Sequence, residues 1–322
     1  MTSPDTIGRS TLGRTDLVVS RLCFGTSALA DMPKAYGYAA GAERAEATFR
    51  AIFAGPTNFL DTARIYGNGL AEERIGAALG EIGGLPKGFV LSTKLDRDPA
   101  TGRFDAAAAR RSLEASLTAL GLDRVSVLHL HDPEYVDNLE EVTGAGGSID
   151  ELFRMKEEGL CDAVGLAAGK VSTMMPMLRD WDFDVVLTHN RFTLLNRNAE
   201  SLIDFAASRG MAVLNAAPYG SGILAKPSRT GGRFAYQEAP DAVVERTMRM
   251  DAICARYGVP LGAAALQFSM RDPRITSTVC GVTRPERVAE TIAWATLPIP
   301  DLLWQELADV GFDTDDPQGF AD

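Results

Sequence analysis

Four side chains able to run acid–base chemistry stand where strands should end: Asp61, Tyr66, Lys94 and His131. Asp61 closes most of an apolar run, Asn58-Phe-Leu-Asp61-Thr-Ala63. Tyr66 follows in a loop with Gly67 and Gly69. The helix-like stretch Ala71 to Gly80 comes next, with Ile75 and Leu79 at i and i+4. Lys94 ends Leu91-Ser-Thr-Lys94, and His131 ends Val125 to His131. A charge at the end of a buried strand is costly unless it is paired, so Asp61 and Lys94 predict each other as partners. An ammonium beside a phenol favours the phenolate. An imidazole beside the same phenol can hydrogen-bond to it and to a carbonyl oxygen. Alone, Asp61 also reads as a turn cap and Tyr66 as a loop aromatic. Convergence of all four would give an acid and base for a carbonyl or alcohol oxygen near neutral pH.

Convergence needs a frame, and the chain alternates short apolar runs with longer amphipathic ones. The runs are 21–25, 58–63, 89–94, 125–131, 163–168, 185–190, 211–217 and 278–282. Helix-like segments lie between them at 43–53, 71–80, 105–120, 148–158, 171–178, 199–209, 241–257 and 285–293, with one more at 261–270. About eight β-then-α units predict an α/β fold, a (β/α)8 TIM barrel, whose strand ends meet at one mouth. Most runs are continuously apolar, as strands covered on both faces should be. Ser10 to Ser20 predicts an N-terminal β-hairpin turning at Gly13-Arg14, placed to cover the barrel bottom. Long loops after strands 4 and 7, at 132–147 and 218–240, are where function should concentrate. No linker or composition break divides residues 1–322, so one domain is expected.

With Lys+Arg 32 against Asp+Glu 43, the net charge of −11 argues against nucleic-acid or anionic-membrane partners. No apolar run reaches the roughly 18 residues of a membrane span. The polar N-terminus lacks a secretion signal. Cys23, Cys161, Cys254 and Cys280 form no CxxC pair, which fits free thiols in a reducing cytoplasm. His129 and His131 should share one face of their strand; with His189 they would need a further ligand to hold zinc, and no metal is expected.

The sequence resembles the aldo-keto reductase superfamily over nearly its whole length. D-T-A-x-x-Y-G stands as Asp61-Thr-Ala-Arg-Ile-Tyr66-Gly67, and E-x-x-I-G as Glu72-Glu-Arg-Ile75-Gly76. S-T-K stands as Ser92-Thr93-Lys94, and the fourth strand runs from Asp123 to His131-Asp132-Pro133. His131-Asp132-Pro133-Glu134 and Asn215 to Leu224 resemble the aldose, fucose and pyridoxal dehydrogenase branch. The resemblance implies Tyr66 as general acid or base, Lys94 tuning it, Asp61 holding Lys94, and His131 orienting the substrate oxygen. It also implies a nicotinamide dinucleotide, NADP or NAD, bound without a Rossmann fingerprint. Candidate contacts are Asp61, Ala168, His189, Asn190, Pro218, Gly220, Gly222, Leu224, Gly281, Thr283, Arg287 and Glu290.

Three positions depart from the family pattern. Ala167-Ala168 replaces Ser-Asn, His189 replaces Gln, and Ala216 replaces a stacking tyrosine. The carboxamide then falls to His189, Asn190 or backbone groups. The usual lysine for a 2′-phosphate is missing from Gly281-Val282-Thr283, which tilts the expectation toward NAD or dual use. The substrate implied is a small aldehyde, ketone or sugar hemiacetal, met by Tyr36, Arg64, Asp132 and Phe192. Two other functions remain open at this stage. One is a dinucleotide-binding, redox-sensing regulatory subunit. The other is a Schiff-base aldolase using Lys94 as nucleophile. Oligomeric state is not legible in the sequence.

Overall fold

The computed structural model describes residues 7–33, 39–228 and 231–319. A hairpin of β1 (Arg9–Thr11) and β2 (Val18–Ser20) leads into the parallel strands β3 (Leu22–Gly25), β4 (Phe59–Asp61), β5 (Val90–Leu95) and β6 (Val125–His131). Next come β7 (Cys161–Ala168), β8 (Val185–His189) and β9 (Ala212–Ala216). After a small hairpin of β10 (Arg233–Phe234) and β11 (Gln237–Glu238) comes β12 (Ser277–Gly281). Among the described residues, eight of these strands form a closed barrel, because β12 pairs in parallel with both β9 and β3. The expected (β/α)8 architecture and N-terminal hairpin are both present.

Helices follow the strands: α1 (Ala42–Phe53), α2 (Leu70–Ile82), α3 (Ala106–Leu120), α4 (Glu140–Thr143), α5 (Ser148–Glu157) and α6 (Val171–Asp180). Then come α7 (Glu200–Ser208), α8 (Asp241–Arg256), α9 (Leu261–Met270), α10 (Pro285–Thr296) and α11 (Asp301–Val310). Strand residues alternate between two cores. Leu22, Phe24, Leu60, Leu91 and Leu128 pack outward under the helices. Cys23, Phe59, Val90, Val127 and Leu214 fill the barrel, and Leu12 and Val19 of the hairpin join them from below. Both faces are apolar because both are buried, which is why the runs read as continuous.

The E-x-x-I-G stretch of α2 has a structural reason. Glu72 is fully buried and accepts from Thr93 Oγ1 at 2.6 Å, tying α2 to β5. A Cβ on Gly76 would lie 2.1 Å from the carbonyl oxygen of Ala119 in α3. Gly76→Ala therefore forces two packed helices apart. It is expected to cost about 1–3 kcal/mol, read as a lower denaturation midpoint with an unchanged m-value.

The loop after β6 contains a short 3₁₀ turn at Pro133–Tyr135 and then α4. The loop after β9 contains the β10–β11 hairpin; Arg229 lies outside the described residues. Helix α11 has no counterpart in the expected elements. It buries Leu303 and Leu307, one turn apart, in the cluster formed by Met250, Cys254 and Leu261. Among the described residues no helix is long and apolar enough to cross a membrane.

Candidate active site

Neighbouring parallel strands bring the four expected residues together at the C-terminal mouth. Asp61 on β4 is registered against Ser92 on β5, and Lys94 against His129 on β6. Lys94 is 1% exposed and Asp61 3% exposed, so their charges meet inside the protein. Lys94 Nζ donates to Asp61 Oδ2 at 2.7 Å, to the Thr62 carbonyl at 2.6 Å and to Tyr66 Oη at 3.5 Å. Ser92 Oγ donates to the other Asp61 oxygen at 3.0 Å. With three oxygens around it, the ammonium offers no lone pair to a carbonyl carbon. It is arranged as a fixed charge rather than as an imine-forming amine.

The Tyr66 ring sits edge-on to His131, centroids 5.9 Å apart at 84°. His131 Nδ1 lies 2.7 Å from Asp96 Oδ1. The other Asp96 oxygen accepts from the Ile65 N–H at 2.8 Å, and the Asp96 N–H donates to Ser112 Oγ at 2.9 Å. One buried carboxylate thus grips both His131 and the loop that carries Tyr66. Sequence reasoning missed Asp96; the signal was its place two residues beyond Lys94, on the same face of an extended chain.

Burial works against a charged His131, but Asp132 and Asp96 outweigh it and raise its pKa above the usual imidazole value. Asp132 Oδ2 lies 3.7 Å from His131 Nε2. The other two histidines go the opposite way. Burial, reinforced by Lys94 and His131, drives His129 well below the usual range. Burial, then Arg191, His131 and Lys94, brings His189 down to about 3. Both remain neutral at ordinary pH. Among the described residues no cluster of three or more His, Cys, Asp or Glu is arranged to hold a metal ion.

The ends of β7, β8, β9 and β12 carry the cofactor candidates. Ala168 is buried at the end of β7. Asn190 Nδ2 lies 3.3 Å from His189 Nδ1, while Asn190 Oδ1 is buried without a partner among the described residues. Tyr236, from the turn between β10 and β11, packs its ring 5.7 Å from His189. In the loop Pro218 to Leu224, Gly220, Ser221 and Gly222 all have positive φ, +54°, +63° and +100°. The N–H groups of Ser221 and Ile223 make no hydrogen bond among the described residues. An unpaired amide oxygen and free loop N–H groups suit a carboxamide and a pyrophosphate respectively, so these residues fit a nicotinamide dinucleotide. Gly281 and Thr283 border the same side, ahead of α10. Arg287 is ion-paired with Glu290 on its own helix and lies 5.4 Å from the Trp294 ring centroid.

Of the substrate candidates, Asp132 stands at the mouth. Its φ of +48° turns its side chain toward His131, and its Oδ1 has no partner among the described residues. Glu134, two residues on, accepts from the N–H groups of Gly169 and Lys170 and so anchors the start of α6. Two expectations are corrected. Phe192 is not at the mouth: it is 1% exposed and stacks on Phe268 at 5.1 Å, with Arg197 and Arg274 beside it. Arg64 points away along α2, its guanidinium over Gly69 and 3.5 Å from Glu72. Tyr36 lies outside the described residues.

A wall of the mouth that the sequence did not announce comes from the C-terminal tail. The fully buried Arg191 forks onto both oxygens of Asp316 at 2.9 Å and reaches Gln318 Oε1 at 3.0 Å. Gln318 also meets Tyr135 Oη at 3.5 Å, and its carbonyl accepts from Gln237 at 3.1 Å. The tail therefore joins the long loops after β6 and β9.

The aldo/keto reductase family profile matches residues 21–311. The chain belongs to the aldo/keto reductase family. It is an NAD(P)-dependent oxidoreductase. It is 32% identical to a D-threo-aldose 1-dehydrogenase of Pseudomonas sp, over 83% of this chain and 88% of that one. It is 30% identical to a pyridoxal 4-dehydrogenase of Microbacterium luteolum, over 93% and 96% respectively. The fold superposes on an aldo-keto reductase of Bacillus halodurans in its holo form with TM-score 0.76 at 18% identity, covering 94% of this chain and 95% of that one. In this reductase the barrel thus carries a complete Asp–Tyr–Lys–His set at its mouth.

Proposed function

We propose that the reductase oxidises the anomeric hydroxyl of a small sugar hemiacetal and, in reverse, reduces small aldehydes or ketones. The observation that carries this reading is the Tyr66 hydroxyl held between the Lys94 ammonium and the His131 ring. In oxidation Tyr66, as phenolate, takes the hydroxyl proton. In reduction Tyr66, as phenol, returns it to the forming alkoxide. Lys94 stabilises the phenolate, and Asp61 keeps Lys94 in place. His131 orients the substrate oxygen. When bound, the nicotinamide supplies or accepts the hydride. The unpartnered Asp132 oxygen accepts a hydroxyl next to the reacting carbon, which favours a polyol over a simple alkyl aldehyde. The two dehydrogenase relatives and the acidic mouth support a neutral, hydroxylated substrate.

On the dinucleotide, Asn190 and His189 hold the carboxamide, the loop Pro218 to Leu224 holds the pyrophosphate, and Arg287 and Glu290 lie by the adenosine. Arg287 is already offset by Glu290, and the net charge is −11, so we favour NAD over NADP. Glu290→Gln frees the guanidinium for a 2′-phosphate. It is expected to tighten NADP relative to NAD by about fivefold, the worth of one partly exposed charge contact. Equal change in both dissociation constants would place the adenosine elsewhere. The four cysteines, all buried and unpaired, suit a reducing cytoplasm.

Initial rates on aldoses, pyridoxal and alkyl aldehydes, with each coenzyme in both directions, test the reading. Aldose oxidation with NAD is the expected result. Dinucleotide binding without turnover on any compound would favour the redox-sensing regulatory subunit instead.

A further inference from the structure

His131 faces two ways. Its Nδ1 meets Asp96 at 2.7 Å and its Nε2 looks toward Asp132 and the mouth. The Asp96 carboxylate can only accept. Its second oxygen is already fixed as an acceptor by the Ile65 N–H at 2.8 Å. Nδ1 must therefore carry a proton whether the ring is charged or neutral. The proton that leaves a charged ring comes from Nε2, the nitrogen that meets substrate.

We propose that Asp96 is a positioning residue that sets the tautomer of His131 and thereby which oxygen the site binds. The charged ring donates from Nε2 to a carbonyl oxygen. The neutral ring presents a lone pair there, which repels a carbonyl oxygen but accepts from a hydroxyl on binding; that single proton then turns to the Tyr66 phenolate for the reaction. Carbonyl reduction then needs the charged ring, whereas binding of an alcohol or hemiacetal does not. This inference rests on the oxidoreductase reading of the same site.

The groups facing His131 fix the sign of the pH dependence. Lys94 on β5 opposes the charged ring. Asp96, just past β5, and Asp132, just past β6, favour it. Tyr66 lies edge-on from the loop after β4. His129 on β6 and His189 on β8 are held neutral by burial. The balance raises the pKa of His131. Reduction is therefore present below that raised value and is lost as pH rises through it.

Two measurements test the proposal. The first needs no variant: ¹⁵N chemical shifts of His131 in the full-length protein across its titration. Above the transition, Nδ1 should be protonated and Nε2 bare. A neutral ring with its proton on Nε2 would overturn the proposal.

The second uses Asp96→Asn. The Asn carbonyl oxygen keeps the Ile65 N–H, so the amide NH₂ must face Nδ1. The ring then accepts at Nδ1 and holds its proton on Nε2 when neutral. For wild type, kcat/KM of reduction should fall in two proton steps on the alkaline side, one from His131 and one from Tyr66. The variant should keep only the Tyr66 step. Below both steps it should be about tenfold slower, having exchanged a charge-assisted hydrogen bond for a neutral one. Identical profiles for the two proteins would overturn the role of Asp96. Absence of turnover on every carbonyl and sugar would defeat the activity itself, while the nitrogen shifts would still decide the tautomer.

Discussion

Tyr66→Phe is expected to lose at least about a hundredfold in turnover, the lower end of what a positioned proton donor contributes. The substitution removes one oxygen and nothing else. The ring keeps its edge contact with His131 and stays 5.0 Å from the Lys94 ammonium, so the pocket keeps its shape. The groups that fit a dinucleotide stand on other strand ends, at Asn190 and in the loop Pro218 to Leu224. Coenzyme dissociation constants, read by fluorescence titration, should therefore stay within a few-fold of wild type. A fall in kcat and kcat/KM together would mark an interaction made only in the transition state. Near-wild-type turnover in this variant would sink the assignment of Tyr66 as the proton carrier.

Much of this site was legible in the sequence because its parts are local. A strand ends, a polar residue follows, and a loop with glycines turns into a helix. The barrel then brings such strand ends together without further instruction. What stayed hidden depends on contacts across the chain. Asp96 looks like any acidic loop residue until His131 arrives from the next strand. Arg191 stands just past β8, but its partner Asp316 lies 125 residues further on. Phe192 follows Arg191 directly, in the run of bends after β8, yet the two side chains part. Arg191 reaches the tail, while Phe192 turns into the core. Arg64 was expected to meet the substrate, yet the buried Glu72 on the next helix draws it back. Helix α11 carried its own signal, Leu303 and Leu307 one turn apart after Pro300, which the strand-and-helix count passed over because the barrel was already closed.

The same locality separates stability from chemistry at Lys94. Lys94→Met keeps the apolar stem and removes the ammonium. Asp61 is then left buried with Ser92 Oγ as its remaining side-chain donor, an uncompensated charge that costs about 3–5 kcal/mol. Tyr66 loses the positive charge that favours its phenolate. The rate of oxidation at neutral pH should fall, and the pH at which oxidation becomes fast should rise. The first effect is undone by neutralising the partner. The double variant Asp61→Asn with Lys94→Met removes both charges, so its denaturation midpoint should recover toward wild type. Its pH–rate profile should stay displaced, because no ammonium has returned to the phenol. Recovery of the midpoint without recovery of the profile would show that Asp61 acts on the chemistry only through Lys94. A single variant whose pH–rate profile matches wild type would mean that Lys94 holds the barrel end together and leaves Tyr66 untouched.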